Sequence, residues 1–490
     1  MSALPAETAF LSVAELGQRL RRREFTSLDL TEFFLDRLAT VGKKLNLVVT
    51  LTDDLARRQA RAADEELRRG RIRGPLHGIP YGAKDLLDTA GIRTTWGCPA
   101  FADRVPTDDA TVIRRLRDAG AVLVAKLAMI ELAGAGNYQS ASASLTGPAR
   151  NPWDPTRWTG GSSSGPGGAV AAGLVGFAIG SETWGSIVNP STYCGIAGLR
   201  PTYGRVSRAG AMALSWTMDK LGPMARRVED LPLILAAIAG PDPSDPTSLN
   251  ARFAYPPTPS NLHGFRVGYF PAERLAADSP VRPAYEHALA EIRRLGAFMT
   301  PTSLPDLPYG DAAGAIVDIE GASAFENLLN GPDFHKILDE GQRIGLYAGA
   351  QAKGVEYLRS CKLRGMAQMA MLDYYRQFDV VINIAERSVA PLADEPFDEQ
   401  DRAARREAAA RKSPPSPRPP RSDKNYQLSG SGNLLGFPAV AVSMGFSAAE
   451  HMPIGLEIMA APLAEAGALH VAAVYERAAG WYRHHPQVSA

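Results

Sequence analysis

Over the first seventy positions, apolar residues recur at the three- and four-residue intervals of amphipathic helices. Ser12 followed by Glu15 has capping-box spacing, and Ser27 opens an apolar-periodic stretch through Phe34. Residues 54–70 are rich in Ala, Arg and Glu and end at a glycine. Residues 1–70 are therefore expected to form an N-terminal helical layer. Downstream the period changes. A helical pattern over residues 111–119 runs into the apolar stretch 121–125, as expected where buried strands alternate with helices. Residues 437–442 read as a strand and 463–483 as a helix. The pattern predicts an α/β fold, laid down as one layered domain spanning 1–490.

The alternation breaks between residues 394 and 424. A charged Ala/Arg/Glu stretch gives way to SPPSPRPPRS at 413–422, and the prolines cannot continue a helix and favour an extended chain. Strand signals resume afterwards, so the segment interrupts a domain and does not end one. Two readings stand: a solvated surface insertion, or a flap over the active site.

Composition narrows the partners. With 53 basic against 52 acidic residues the formal charge is +1, which gives no electrostatic reason to expect nucleic acid or an anionic membrane as the main partner. Three cysteines in 490 residues show neither metal-ligand spacing nor a disulfide framework. No stretch is long and apolar enough for a membrane span or a signal peptide. The expectation is a soluble cytoplasmic protein, monomer or homodimer, with a small molecule as its partner.

The chemistry concentrates in two serine-bearing, glycine-rich segments, TGGSSSGPGGAVAAG at 159–173 and GSETWGSIVNPS at 180–191. A phosphate-binding loop needs a Gly-Lys-Ser/Thr ending, and no lysine occurs between Lys126 and Lys220. Ser186 lies in WGSIV, without the flanking glycines of a nucleophile elbow, and no histidine lies between His77 and His263. A distant histidine leaves a Ser/His/Asp triad open, because triads are spatial. A flexible linker is the third rival, but the cluster runs into AVAAGLVGFAIG at 169–180, which reads as a close-packed helix with backbone against backbone. Upstream, in GPLHGIPYGAKDLLD, Lys84 follows almost only small and apolar residues. Burial there depresses a lysine from its usual value of about 10.4 and makes the neutral amine a usable base. The eight histidines show no paired ligand spacing, so no metal and no cofactor is expected.

GGSSSG with AVAAG, the GSET-GSI-P loop and HGIPYGAKD together resemble the amidase signature family. RNPWDPTRWTGG (150–161), GLRPTYGRVSRAG (198–210), DKLGPMARRVED (219–230) and MPIGLEIMA (452–460) match it in order. The resemblance implies a mixed, twisted β-sheet core covered by helices on both sides. It also implies a catalytic triad of Lys84, Ser162 and Ser186, with a cis peptide joining Gly161 to Ser162. Ser186 would be the nucleophile, Ser162 the proton relay and Lys84 the base, with the N–H groups of Thr183, Trp184, Gly185 and Ser186 as oxyanion hole. Ser163 resembles a supporting residue that bonds the lysine, or else a loop-capping serine.

Many relatives read DTGGSIR where this chain reads ETWGSIV. Trp184 replaces a glycine, and Val188 replaces a frequent arginine, the natural bidentate partner of a carboxylate. Trp184, Val188 and Tyr138 are accordingly expected at a substrate pocket for a neutral, apolar or aromatic amide. The same acyl chemistry extends to aryl esters and carbamates (urethanes) where the pocket admits them. Two alternatives remain at this point: the A subunit of a glutamine-dependent tRNA amidotransferase, and a catalytically silent binding module.

Overall fold

The computed structural model describes residues 4–400 and 428–488. Eleven strands form one sheet: β1 (Val48–Leu51), β2 (Pro80–Lys84), β3 (Val122–Leu127), β4 (Phe177–Glu182), β5 (Ala197–Arg200), β6 (Lys220–Ala225), β7 (Arg266–Tyr269), β8 (Phe298–Pro301), β9 (Val380–Ile384), β10 (Ala439–Phe446) and β11 (Pro453–Ala460). They stand in the order β1-β3-β2-β4-β6-β5-β10-β11-β9-β7-β8. β2 pairs in parallel with β3 and β4, and β7 with β8 and β9; the remaining pairs are antiparallel. The sheet is thus mixed, as expected.

Why both faces carry helices follows from the strands themselves. β2, β3 and β4 are buried along their whole length. Their alternate residues enter different cores: Phe177 and Ile179 join one apolar cluster and Ala178 the other, and Leu123 is divided in the same way from Val122 and Val124. Side chains of period two therefore need apolar cover above and below. One cover is the N-terminal layer. The Ser12 capping box forms, with Glu15 N donating to Ser12 Oγ at 3.1 Å and Ser12 N to Glu15 Oε2 at 2.8 Å, and it starts the helix Val13–Arg21. The second helix, Ser27–Arg37, is capped by Thr26 and Asp29, and the third covers Asp53–Arg68.

Three expectations change. The N-terminal layer is not all helical, because LVVTL contributes β1, which lies antiparallel to β3 at the sheet edge. The segment 169–180 is not one helix: the helix Ser164–Ala171 stops, Gly173 takes a positive φ of 64°, and the chain re-enters as β4. A fully apolar run fits a central strand as well as a buried helix, so periodicity does not separate them. Close backbone approach is real within the segment, at Gly173 and Gly176, where a Cβ would stand 2.9 Å from Ala9 O and 2.9 Å from Pro80 O, and it is closer still at Gly165, 2.4 Å from Ala128 N. Finally, the C-terminal helix is shorter than expected, Glu465–Ala479, ended by Gly480 at a φ of 74°. Of the segment 394–424, residues from 401 onward lie outside the described residues.

Candidate active site

β2 and β4 are parallel neighbours, so their C-terminal ends deliver side chains to one edge of the central sheet. Lys84 closes β2 and is fully buried. Its Nζ lies 2.8 Å from Ser162 Oγ and 2.9 Å from Ser181 Oγ, the latter on β4. Ser162 Oγ is in turn 3.0 Å from Ser186 Oγ. Ser162 precedes the helix Ser164–Ala171 and follows a cis peptide bond from Gly161. Ser186 belongs to the turn after β4 and is 7% exposed, against 1% for Ser162. The three side chains thus form one continuous line whose outer hydroxyl is the most accessible.

Burial pushes the Lys84 amine down to about 7, partly offset by Asp219 and Glu182. At neutral pH the neutral form, which has a lone pair for the Ser162 proton, is well populated.

Residues 183–186 turn back on themselves, with Gly185 at a φ of 82° and Asn189 N donating to Gly185 O at 2.7 Å. Among the described residues, the N–H groups of Thr183, Trp184, Gly185 and Ser186 meet no protein acceptor. The next two N–H groups, of Ile187 and Val188, both donate to Glu182 Oε2, at 2.7 and 2.9 Å. Glu182 thereby fastens the far end of the loop to β4. Its other oxygen accepts from Arg200 Nη1 and Asn433 Nδ2, each at 2.8 Å. Burial acts to raise this carboxyl, but Arg200 and the backbone donors outweigh it and hold it below its ordinary value. The result is a charged, fully saturated anchor beneath four free donors.

Ser181 carries no signal of its own in the sequence, and it takes the place expected of Ser163. Ser163 does not bond Lys84. Its Oγ donates to Ser181 O at 3.1 Å and accepts from Ser181 N at 3.3 Å, so it braces Ser181 on the strand. Glu182 and Asn189 are likewise functional residues that sequence reasoning does not single out. Asn189 Oδ1 accepts from Gly161 N at 2.9 Å, which ties the Ser186 turn to the Ser162 segment. All three lie inside GSETWGSIVNPS, but nothing in the spacing separates them from their neighbours.

A cavity of about 880 Å³ opens onto Ser186, with Thr183, Trp184, Gly185, Tyr138 and Trp158 among its walls. Trp184 is 41% exposed, and its indole lies over Gly314 and Gly430. Tyr138 packs edge-on against Trp158 and Phe397, with ring centroids 6.0 and 6.1 Å away. Val188 is not part of this wall. It is buried against Ala385 and Ala441, and only Ala385 of that group reaches the cavity. Phe397 and Gln400, at the start of the 394–424 segment, line the cavity too. Among the described residues no cluster of His, Cys, Asp and Glu is arranged to hold a metal ion, and no helix is long and apolar enough to cross a membrane.

The comparisons identify the class of enzyme to which this fold belongs. The Amidase family model matches residues 29–469. The chain is 35% identical, over 98% of its length and 99% of the relative's, to the A subunit of the glutamyl-tRNA(Gln) amidotransferase of Moorella thermoacetica. A solved peptide amidase from Stenotrophomonas maltophilia superposes with a TM-score of 0.80 at 30% identity, covering 96% of this chain and 98% of that one. A bacterial aryl acylamidase of the amidase signature enzymes shares the fold, with a TM-score of 0.82 at 20% identity and 97% coverage of both chains. The chain belongs to the amidase signature family. It is an enzyme of the class that acts on amide C–N bonds, which displaces the reading as a silent binding module.

Proposed function

We propose that this enzyme hydrolyses a small, non-acidic amide through an acyl-enzyme on Ser186. The observation that supports it best is the unbroken Lys84–Ser162–Ser186 line at 2.8 and 3.0 Å. A serine hydroxyl is a weak nucleophile until a base takes its proton during attack. Neutral Lys84 accepts the Ser162 proton as Ser162 accepts that of Ser186, and Ser186 Oγ bonds to the amide carbon. Negative charge gathers on the carbonyl oxygen, where the free donors of residues 183–186 receive it, each well-aimed one contributing roughly 2.7 to 4 kcal/mol. The C–N bond then breaks, and Ser162 returns a proton to the leaving amine while Lys84 reprotonates Ser162. Water, deprotonated along the same line, cleaves the ester and regenerates Ser186.

The aromatic wall of Tyr138, Trp158 and Phe397 supports an apolar or aromatic amide. Esters and carbamates are open to the same acyl chemistry. A second reading has its own support: relatives named as the amidotransferase's A subunit reach 35 and 36% identity over 98% of this chain. These names favour an ammonia-delivering role over the free-standing amidase expected from the sequence, and they would bring partner subunits and tRNA with them. The site favours the first reading, the relatives the second.

Two measurements decide. Fluorophosphonate labelling followed by intact mass should modify wild type and spare Ser186→Ala; equal labelling of both would overturn the assignment of Ser186. A panel of aryl amides, aliphatic amides, carbamates and glutamine then separates the readings. Turnover of aryl or alkyl amides by the isolated chain supports the first, and efficient turnover of glutamine only with partner subunits supports the second.

A further inference from the structure

In the antiparallel pair of β4 and β6, Glu182 stands opposite Lys220. The next residues out, Thr183 and Asp219, therefore meet just beyond the pair, where Thr183 Oγ1 donates to Asp219 Oδ1 at 2.6 Å. Thr183 carries the first of the four free N–H groups, so this contact sits at the near end of the loop whose far end Glu182 fastens. Asp219 is buried and is itself held, because its other oxygen accepts from Leu214 N at 2.8 Å and Ser215 N at 3.0 Å. The 214–217 segment is tied in turn to the helix Tyr309–Ala324, on which Glu320 accepts from Ser215 Oγ at 2.5 Å and Thr217 Oγ1 at 2.8 Å. Packing does not hold Thr183 in the same way. A second cavity, of about 180 Å³, lies against Ser181, Thr183, Leu214 and Asp219, so on this side the hydrogen bond fixes the threonine where no close-packed wall supports it.

A hydroxyl that donates to a carboxylate makes a shorter and stronger bond than one between neutral groups. Resting on the amide-hydrolase reading above, we infer that Asp219 is a positioning residue of the oxyanion loop, which aims the Thr183 N–H by holding the Thr183 hydroxyl. Its charge has a second effect. As Ser186 attacks, Lys84 becomes an ammonium in a fully buried setting, and the carboxylates whose charge acts on it are Asp219 and Glu182. Glu182 is already paired with Arg200 at 2.8 Å, and Asp85, next along the chain from Lys84, faces Lys126 at 3.4 Å. Asp219 takes its hydrogen bonds from the neutral donors of Thr183, Leu214 and Ser215, while Arg208 and Lys220 act on it through space. It is therefore the carboxylate freest to stabilise the Lys84 ammonium as it forms.

The test reads the rate at which a fluorophosphonate labels Ser186, as a function of pH, in wild type and four variants. Thr183→Val removes the hydroxyl at nearly constant volume and should lower the plateau rate at least about tenfold, part of what an oxyanion donor is worth, with the midpoint unmoved. Thr183→Ser restores a hydroxyl and should recover most of that rate. Asp219→Asn leaves Thr183 a partner, since its hydroxyl can accept from the new NH₂, but the contact is reversed and uncharged, and the plateau should fall severalfold. Its midpoint should move to lower pH by at least about half a unit, because Lys84 loses an anion that favours its ammonium. A merely loosened site would admit water and move the midpoint the other way, toward the ordinary lysine value of about 10.4. The double variant of Thr183→Val with Asp219→Asn should show the plateau of Thr183→Val alone, since both changes break one contact. A Thr183→Val plateau equal to wild type, an Asp219→Asn midpoint that stays or rises, or losses that multiply in the double variant overturn the assignment of Asp219. Wild type that takes no label defeats instead the hydrolase reading beneath it.

Discussion

Replacing Glu182 by glutamine isolates what holds the 183–186 loop open. The carboxylate is fully buried and accepts four hydrogen bonds, from Ile187 N, Val188 N, Arg200 Nη1 and Asn433 Nδ2. A glutamine has one acceptor oxygen, so its NH₂ must face either the two backbone donors or the Arg200 and Asn433 donors. It also removes a charge from a buried pair, a loss of about 3 to 5 kcal/mol where the partner is left uncompensated. Here compensation exists, because Glu457 Oε1 lies 3.1 Å from Arg200 Nη1. Burial holds Glu457 up at about 7, with the Glu182 charge adding to that rise; without that charge it ionises more readily and takes over the guanidinium. The expected cost is therefore the lower end, about 3 kcal/mol. The loop that presents the free N–H groups loses its fastening, and loss of one aligned donor alone is worth about a hundredfold in kcat. Urea unfolding followed by tryptophan fluorescence should show a clearly lower midpoint, and kcat should fall at least about tenfold with KM little changed. If both midpoint and kcat match wild type, Glu182 is not the anchor described above. The double variant with Glu457→Gln should lose more than the two single losses combined, since Arg200 is then without either carboxylate.

Other predictions follow from the same contacts. Ser181→Ala removes one of the two hydroxyls on Lys84 Nζ and should lower kcat roughly fivefold, the worth of about 1 kcal/mol; steady-state kinetics that match wild type would count against a positioning role. Glu476, buried and accepting from Val228 N at 3.0 Å, is pushed up to about 8. Its folded form holds a proton that the unfolded chain has already lost above its ordinary value, so this group makes the protein less stable as pH rises from about 4.5 to 8. Glu476→Gln should therefore raise the melting temperature at pH 8 and converge with wild type near pH 4. A gap of constant size across that range would contradict the assignment.

The Lys84–Ser162–Ser186 line, proposed above as catalytic, is legible in the sequence because each member sits in a compact, compositionally odd motif. Lys84 stands out for its small apolar neighbours, and Ser162 and Ser186 for their glycines. The supports are not legible, because they depend on register. Ser181 and Lys84 meet only because β2 and β4 run parallel side by side, and without that register Ser163 is the nearer candidate for the lysine's partner. Glu182 gains its role from Arg200, which arrives on β5 and reaches β4 across the sheet. β1 reads as part of a helical layer because four half-buried residues at an edge carry too short a pattern to register against three flanking helices. Val188 is expected in the pocket since the residue type there differs among relatives, but the backbone turns it against Ala441 instead.

A neutral amine at position 84 is the central requirement of the proposed mechanism, and the rate at which a fluorophosphonate phosphonylates Ser186 as a function of pH reads it directly. Because burial sets Lys84 near 7, the rate should climb about tenfold per unit below pH 7, level off above it, and vanish in Lys84→Met. A flat profile from pH 6 to 10, or a midpoint near the ordinary lysine value of about 10.4, would contradict it.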